Sequence, residues 1–312
     1  MVVVRGLRSL RERYENVVLT IGNFDGVHRG HQKIFHAVVE RAKALRGTAI
    51  AITFDPHPVR VLAPERGIRL LTTFDEKVRL MELYGIEAVL CIDFTREFGK
   101  TDPDDFIREV IVGKIGAREV IVGHRYAFGK GKKGTTDLLR RRGKKYGFSV
   151  KVVRSVRISG EVVSSSRIRG LLVRGKVGEA ARYLGRPYMI EGTVIPGADR
   201  GGRVLGVPTA NIAARNELIP KEGVYAVKVG LDGRIFDGVA NIGRNPTFGN
   251  GRLSYEVHLF DFSESIVGRD IRVYFIEHLR DERTFPDVPT LKANIMRDIR
   301  QAREILAQGG SL

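Results

Sequence analysis

The feature that most constrains the fold is an alternation of short apolar runs with helical patterns in the first part of the chain. The runs fit buried strands and are rich in β-branched residues: 17–21, 48–54, 88–94, 119–123 and 149–153. Between them apolar residues recur at helical spacing, and Asp102 before Pro103 is typical of a helix start. This alternation predicts a parallel sheet covered on both faces, with ligands outside the carboxyl ends of its strands.

The pattern changes after about residue 186, where strands with alternating apolar residues dominate. Two such strands flank Asp232-Gly233, a pair favoured in hairpin turns. The last segment carries one apolar stripe at helical spacing, formed by Leu291, Ile295, Ile299, Ala302 and Leu306. We therefore predict a small antiparallel β-barrel with a terminal helix, and domains at 1–185 and 186–312 with the boundary near Pro187.

Charge and composition limit the classes of partner. The formal net charge of +17 raises nucleic acid as a candidate, and the densest basic run lies at 129–145. A basic nucleic-acid-binding protein is nevertheless the weaker interpretation, because no zinc pattern or aromatic RNA-binding motif is present. No apolar run approaches the roughly 20 residues of a membrane span, so no membrane association is expected. The single cysteine, Cys91, lies in an apolar run and suits a reducing, cytoplasmic compartment.

The stretch GNFDGVHRGHQ, residues 22–32, follows the first predicted strand and precedes a predicted helix. Gly22, Gly26 and Gly30 allow a tight turn and a close backbone approach to an anion at the helix N-terminus. His28 and His31 are three residues apart, so both rings can face one point on the first helical turn. We interpret this stretch as a phosphate site, and the alternative is a glycine-rich turn with two exposed histidines.

A second basic motif, SSSRIR at 164–169, can cap a helix and donate hydrogen bonds to phosphate oxygens. Alone it would be an ordinary serine cap with two solvated arginines. Together with the histidine turn it is interpreted as the second half of one phosphate site, because nucleotide chemistry needs positive charge from both sides.

The second half of the chain carries its own candidates. The segment 192–212 is rich in glycine but lacks the Gly-Lys-Ser/Thr of a Walker loop. Thr209 and Asn211 project to one side of an extended segment, where both oxygens could meet Mg²⁺ and ATP phosphates, or could be satisfied within a barrel turn. Glu256 lies on the opposite strand face from Tyr255 and Val257, either solvated or acting as a general base in a pocket.

These motifs resemble those of a known family. GNFDGVHRGH and SSSRIR resemble the HxGH and ISSTxIR motifs of the nucleotidylyltransferase superfamily. With TFDPHP at 53–58, VGHRYAFGKGKKG at 122–134, GRVLGVPTANI at 202–212, EVHLFDF at 256–262 and LRDERTF at 279–285, the whole chain resembles the bacterial bifunctional riboflavin kinase/FAD synthetase family.

For the first domain the resemblance implies a Rossmann-like sheet of the nucleotidylyltransferase type that transfers an adenylyl group from ATP to FMN, releasing pyrophosphate. His28 and His31 would stabilise the reacting phosphates. The implied ATP-binding residues also include Gly22, Phe24, Gly26, Ser165, Ser166, Arg167 and Arg169. The implied flavin-binding residues are His57, which could equally belong to a rigid surface loop, and Arg125.

For the second domain the resemblance implies phosphorylation of riboflavin at its 5′-hydroxyl. Glu256 would be the base, and Thr209 and Asn211 would bind Mg²⁺ and ATP together with Gly202 and Gly206. The terminal helix and 279–285 would border the flavin.

Arg125 departs from the family pattern, which usually has Asp or Asn two residues after the Val-Gly pair. A chain in which only the kinase step is efficient is therefore the alternative within this family.

Overall fold

The computed structural model describes residues 1–10, 14–196, 206–244 and 253–308. The chain forms two compact units, Met1–Ser164 and Ser165–Leu312. The predicted fold class is confirmed, because the first unit is built on a parallel sheet and the second on a closed antiparallel barrel with a terminal helix. Across the described ranges no helix is long and apolar enough to cross a membrane.

The first unit alternates strands and helices as predicted. Its elements are β1 (Val2–Arg5), β2 (Val18–Ile21), α1 (Arg29–Leu45), β3 (Ala49–Asp55), α2 (Pro58–Leu62), α3 (Phe74–Leu83), β4 (Ala88–Asp93), α4 (Pro103–Asp105, continuing as a π-helix over Phe106–Lys114), β5 (Glu119–Gly123), α5 (Thr136–Tyr146), β6 (Ser149–Val153), β7 (Arg157–Ile158) and β8 (Glu161–Val162).

The main sheet has the order β1-β4-β3-β2-β5-β6, and all its pairs are parallel. Alternate residues of the strands point to opposite faces of the sheet and pack into two separate hydrophobic cores. Leu19 and Ile52 pack in the core that contains Phe106 of the π-helix and Leu139 of α5. Val18 packs in the other core, with residues of α1 and α3. This arrangement explains why the strands read as continuous apolar runs, since both of their faces are buried.

The predicted helix start at Asp102 is also present, since its side chain accepts a hydrogen bond from the Asp104 amide and Pro103 is the first helical residue. Strand β1 was not predicted. It lies at the edge of the sheet, where Val2 and Val3 are exposed, so its composition carries no pattern of double burial.

The second unit begins with two helices and continues into the barrel. Its elements are α6 (Ser165–Val173), α7 (Val177–Leu184), β9 (Tyr188–Ile195), β10 (Ala210–Ala214), β11 (Gly223–Leu231), β12 (Arg234–Arg244), β13 (Leu253–Leu259), β14 (Asp270–Arg280) and α8 (Val288–Gln308).

The six strands close in the order β10-β13-β12-β11-β14-β9, with antiparallel pairing throughout. Asp232 and Gly233 form the turn between β11 and β12, and both adopt positive φ. The apolar stripe of α8 packs onto the barrel, where Ile299, Ala302 and Leu306 join a core with Val224 and Ala226 of β11.

Helix α7 packs against β9 and β14 within the second unit. The predicted boundary between the domains 1–185 and 186–312 lies inside this second unit. The assignment of one activity to each side of that boundary stays a prediction.

Two barrel glycines differ in the room that they leave for a side chain. A Cβ on Gly192 in β9 would lie 2.4 Å from the carbonyl oxygen of Ala213, whereas a Cβ on Gly230 in β11 would have its nearest neighbour at 3.5 Å. We expect Gly192→Ala to lower the free energy of unfolding of the second unit by about 1–3 kcal/mol, because backbone must move. Gly230→Ala is the matched control. Urea denaturation followed by circular dichroism measures both, and equal midpoints would contradict the packing in β9.

Candidate active sites

The glycine-rich segment of the first unit is a turn at the carboxyl end of the central strand. From β2 the chain builds the sheet toward β3 and β4, and then continues on the other side of β2 with β5 and β6. The turn therefore lies at the point where the strand order reverses, which is where open α/β sheets bind ligands. Phe24, Gly26 and Val27 all adopt positive φ, so the backbone reverses within a few residues before α1 begins.

The two histidines lie together at the start of α1. His28 caps the helix, and its Nδ1 accepts a hydrogen bond of 3.4 Å from the His31 amide. The imidazole rings stack with centroids 3.6 Å apart, and the Phe24 and His31 rings pack nearly at right angles with centroids 5.2 Å apart. His28 is buried, which argues against a turn with two exposed histidines.

Two glycines make this arrangement possible. A Cβ on Gly30 would lie 3.1 Å from the His28 ring, and a Cβ on Gly22 would lie 2.9 Å from the Phe24 ring. Any larger residue at either position would have to displace an aromatic ring of the turn. The glycines are thus required for side-chain packing as well as for backbone freedom.

The environment of His31 favours its neutral form. Burial lowers the pKa of His31 well below its ordinary value, and the neighbouring His28 and Lys77 lower it further. Its Nδ1 is buried without a hydrogen-bond partner among the described residues. At neutral pH the turn thus presents a neutral imidazole and helix N-terminal N–H groups, a combination suited to binding phosphate oxygens.

The two flavin candidates follow the strands on either side of β2. His57 comes after β3, is buried, and caps α2 by accepting a hydrogen bond from the Val59 amide at 3.2 Å. It is therefore not part of an exposed loop. Arg125 comes after β5 and is exposed to solvent. Both follow carboxyl ends of the strands that flank the turn.

The serine–arginine motif opens α6, at the start of the second unit. Ser165 is the first helical residue and Ser166 is exposed. Arg167 donates a hydrogen bond of 3.2 Å to the Tyr183 hydroxyl and lies over that ring, and Arg169 is partly buried. The union of this motif with the histidine turn in one phosphate site remains a prediction.

The second unit contains a cavity of about 230 Å³ between the barrel and α8. Glu256 and His258 of β13 and Thr209 lie in its wall, with Asn241 of β12 beside them. Other lining residues come from the segment after β14 and from α8, including Arg283, Phe285, Leu291 and Ile295. The cavity joins an apolar surface to a few polar groups, as small-molecule sites do.

Strand register places three polar residues in one row. Asn211 of β10 and Asn241 of β12 both lie directly opposite Glu256 of β13. The Ser254 hydroxyl lies 3.2 Å from Glu256 Oε1 and 3.4 Å from Asn211 Oδ1. Gly206 has positive φ ahead of this row, and Gly202 lies outside the described residues.

The sequence did not single out Asn241, Arg280 or Asp298. Asn241 Oδ1 is buried and has no hydrogen-bond partner in the described part of the chain. Burial raises the pKa of Glu282, and the Asn241 amide that donates a hydrogen bond to Glu282 acts against this shift. The nearby guanidinium of Arg280 binds both carboxylate oxygens of Asp298, at 2.8–3.1 Å, and so ties β14 to α8 at the cavity. Strand pattern alone gives no signal for any of the three.

Comparison with known proteins gives matches along nearly the whole chain. Residues 10–167 match the family model described as FAD synthetase, and residues 184–306 match the model described as riboflavin kinase. The bifunctional riboflavin kinase/FMN adenylyltransferase of Escherichia coli (strain K12) is 37% identical over 306 residues, covering 97% of each chain. The protein of the same name from Pseudomonas fluorescens is 37% identical over 308 residues, covering 98% of each chain.

The chain belongs to the bifunctional riboflavin kinase/FMN adenylyltransferase family. It is an enzyme with both a nucleotidyltransferase region and a kinase region, so the predicted resemblance is confirmed. A solved structure described as a macrolide-efflux protein from Streptococcus pneumoniae is also similar, with a TM-score of 0.89 at 29% identity, covering 97% of this chain and 99% of that one. Nothing favours the kinase-only alternative, because the FAD synthetase model matches across Arg125.

The packing of the turn gives a prediction for this bifunctional family member. Gly30→Ala should reduce FAD formation at least tenfold, since the new Cβ displaces the His28 ring and small misplacements of reacting groups cost this much. FMN formation from riboflavin by the same protein is the internal control and should change less than about twofold. Chromatographic separation of FMN and FAD measures both, and unchanged FAD formation would show that the His28 position is unimportant.

Proposed function

We propose that the chain phosphorylates riboflavin to FMN in its kinase region and adenylates FMN to FAD in its FAD synthetase region, using ATP in both steps. The observation that carries this proposal is the presence of two separate sites of different chemistry. One is a helix N-terminus with two stacked histidines in the first unit, and the other is a cavity with a carboxylate and amide oxygens in the second.

In the adenylyl step an oxygen of the FMN phosphate attacks the α-phosphorus of ATP. The bond to the β-phosphate breaks and pyrophosphate leaves. His28, His31 and the N–H groups of the first turn of α1 donate hydrogen bonds to the phosphates as charge shifts onto the leaving group. No protein nucleophile is needed, because the phosphate of FMN already carries the attacking oxygen.

We assign further contacts of this step by the family resemblance. Ser165, Ser166, Arg167 and Arg169 bind the triphosphate of ATP, together with Gly22, Phe24 and Gly26 of the turn. His57 and Arg125 bind the flavin or its phosphate. Their places at strand ends and at the start of α6 support this assignment.

In the kinase step Glu256 accepts the proton of the riboflavin 5′-hydroxyl while that oxygen attacks the γ-phosphorus of ATP. ADP leaves as the bond between the β- and γ-phosphates breaks. The apolar side of the cavity, formed by residues such as Phe285 and Ile295, accommodates the flavin ring. The pair of Arg280 with Asp298 holds α8 in place at this wall.

We propose Mg²⁺ as the divalent metal of the kinase region. The oxygens available fit a hard cation, because Thr209, Asn211 and Asn241 supply hydroxyl and amide oxygens, and Asn241 Oδ1 is buried with no partner among the residues that the structure describes. Thr209 and Asn211 would hold the ion, with Gly202 and Gly206 near the ATP phosphates. When bound, Mg²⁺ neutralises charge on the β- and γ-phosphates.

We also propose that the enzyme acts in the cytoplasm and binds no nucleic acid. Cys91 is buried and forms no disulfide, which suits a reducing compartment. The basic run at 129–145 then contributes a surface charge that attracts phosphorylated substrates.

The two-product assay tests this function. Wild-type protein with riboflavin, ATP and Mg²⁺ should yield both FMN and FAD. His28→Ala combined with His31→Ala should reduce FAD formation at least a hundredfold and leave FMN formation intact, whereas Glu256→Gln should reduce FMN formation by a similar factor. With FMN supplied, Glu256→Gln should still make FAD. Equal loss of FMN and FAD formation in the double histidine variant, or loss of FAD formation from supplied FMN in Glu256→Gln, would contradict separate sites.

Asn241 gives an independent prediction at the kinase cavity. Its Oδ1 has no hydrogen-bond partner among the described residues and so is available to a bound ligand. Asn241→Ala should therefore lower kcat/KM for riboflavin by about five- to tenfold, the value of one hydrogen bond. FAD formation from supplied FMN is the control. An unchanged kcat/KM would remove Asn241 from the site.

A further inference from the structure

Lys77 is a buried cation close to the histidine turn. It lies on α3 with 8% of its surface exposed, and its Nζ donates a hydrogen bond of 3.1 Å to Thr53 Oγ1. No carboxylate of the described residues forms an ion pair with it. A buried ammonium is costly, and the Asp25 and Asp55 carboxylates and the Phe74 ring, whose centroid lies 5.2 Å from Nζ, offset that cost only in part.

Hydrogen bonds lead from Lys77 into the turn. Thr53 is fully buried in β3, and its hydroxyl donates to the carbonyl oxygen of Asn23 at 3.2 Å. Asn23 lies between Gly22 and Phe24. The Lys77 ammonium donates to the oxygen of the Thr53 hydroxyl. The single proton of that hydroxyl is therefore left to bond the carbonyl oxygen of Asn23. Lys77 thus fixes the direction of the hydrogen bond that holds the backbone of the turn.

A second set of contacts joins the start of α3 to the same turn. Asp25 Oδ1 accepts hydrogen bonds from the amides of Leu71, at 2.9 Å, and Thr72, at 3.4 Å. The Gly26 amide in turn donates to Thr72 Oγ1 at 3.2 Å. The turn is therefore anchored to the α3 region at both ends, by Asp25 and Gly26 on one side and by Lys77 through Thr53 on the other.

We propose that Lys77 is a positioning residue for adenylyl transfer, which acts through Thr53 to hold the backbone of the turn that carries His28 and His31. This inference rests on the proposed FAD synthetase function of the first unit. It adds a residue that makes no contact with the reacting phosphates in this role and that lies outside the histidine and serine–arginine motifs.

The charge of Lys77 gives this role an independent signature at His31. The titratable groups that face His31 are His28, from the same turn, and Lys77, from α3. Lys77 is one of the causes that lower the pKa of His31, after burial and His28. Burial also lowers the pKa of Lys77 itself, while Cys91, Asp25 and Asp55 act against that shift. Removal of the ammonium should therefore raise the pKa of His31 toward its ordinary value.

Kinetics of FAD formation from supplied FMN test the proposal with three variants. Lys77→Met and the near-isosteric Thr53→Val should each lower kcat about tenfold or more, while KM for ATP and FMN changes less than about threefold. Thr53→Ser keeps the hydroxyl and should retain activity within about threefold of wild type. The matched control is Arg79→Met, which removes an exposed positive charge from the same helix.

Histidine titration by NMR supplies the second readout. In Lys77→Met the pKa of His31 should rise, whereas in Thr53→Val and Arg79→Met it should stay near the wild-type value. FMN formation from riboflavin reports that the rest of the chain is folded. If Lys77→Met does not fold, the comparison of Thr53→Val with Thr53→Ser decides the question.

Two results would overturn the proposal. One is a kcat for FAD formation within twofold of wild type in Thr53→Val, and the other is an unchanged His31 pKa together with unchanged kcat in Lys77→Met. Failure of wild-type protein to make FAD would instead refute the proposed function. The His31 titration then still reports whether Lys77 is electrostatically coupled to the turn.

Discussion

The burial of β2 on both faces of the parallel sheet is the constraint on which the first site depends. All four residues of the strand are buried, and helices cover both sides of the sheet. Polar chemistry is therefore confined to the carboxyl end of the strand. There the chain reverses through Phe24, Gly26 and Val27 at positive φ and begins α1 directly. The helix N-terminus and its two histidines are placed by this reversal.

The second site depends on strand register in the same way that the first depends on a strand end. The barrel closes without a free edge, and Glu256 faces Asn211 and Asn241 on its two neighbouring strands. A shift of one residue in the register of β13 would move Glu256 to the other face of the sheet, away from Asn211 and Asn241. The site is thus a property of the closed barrel, and α8 covers it with the help of the Arg280–Asp298 pair.

Sequence patterns identified the parts of both sites that carry a local signal. The strand ends, the glycines of the turn, the histidines and the hairpin at Asp232-Gly233 all follow from spacing and composition. Asn241 and Lys77 could not be found in this way, since each sits in an ordinary strand or helix pattern. What distinguishes them depends on contacts between distant parts of the chain. Within the described ranges Asn241 has a buried oxygen with no hydrogen-bond partner, and Lys77 reaches Thr53 on a strand 24 residues earlier in the chain. Strand β1 was not predicted for a related reason, because an exposed edge strand needs no continuous apolar run.

The two sites respond differently to a fall in pH, because burial lowers the pKa of His31 in one and raises the pKa of Glu282 in the other. Near the turn, positive charge resides on Lys77, while burial keeps the pKa of His31 low and its imidazole neutral. Falling pH therefore leaves His31 unprotonated to lower values than an ordinary histidine. In the kinase cavity burial raises the pKa of Glu282, so its carboxylate takes up a proton at higher pH than an ordinary glutamate. Protonation of Glu282 also changes the hydrogen bond that it receives from Asn241, in the row opposite Glu256. Acid thus alters the hydrogen bonds of the kinase cavity at a higher pH than it would around an ordinary glutamate, while His31 in the turn stays neutral.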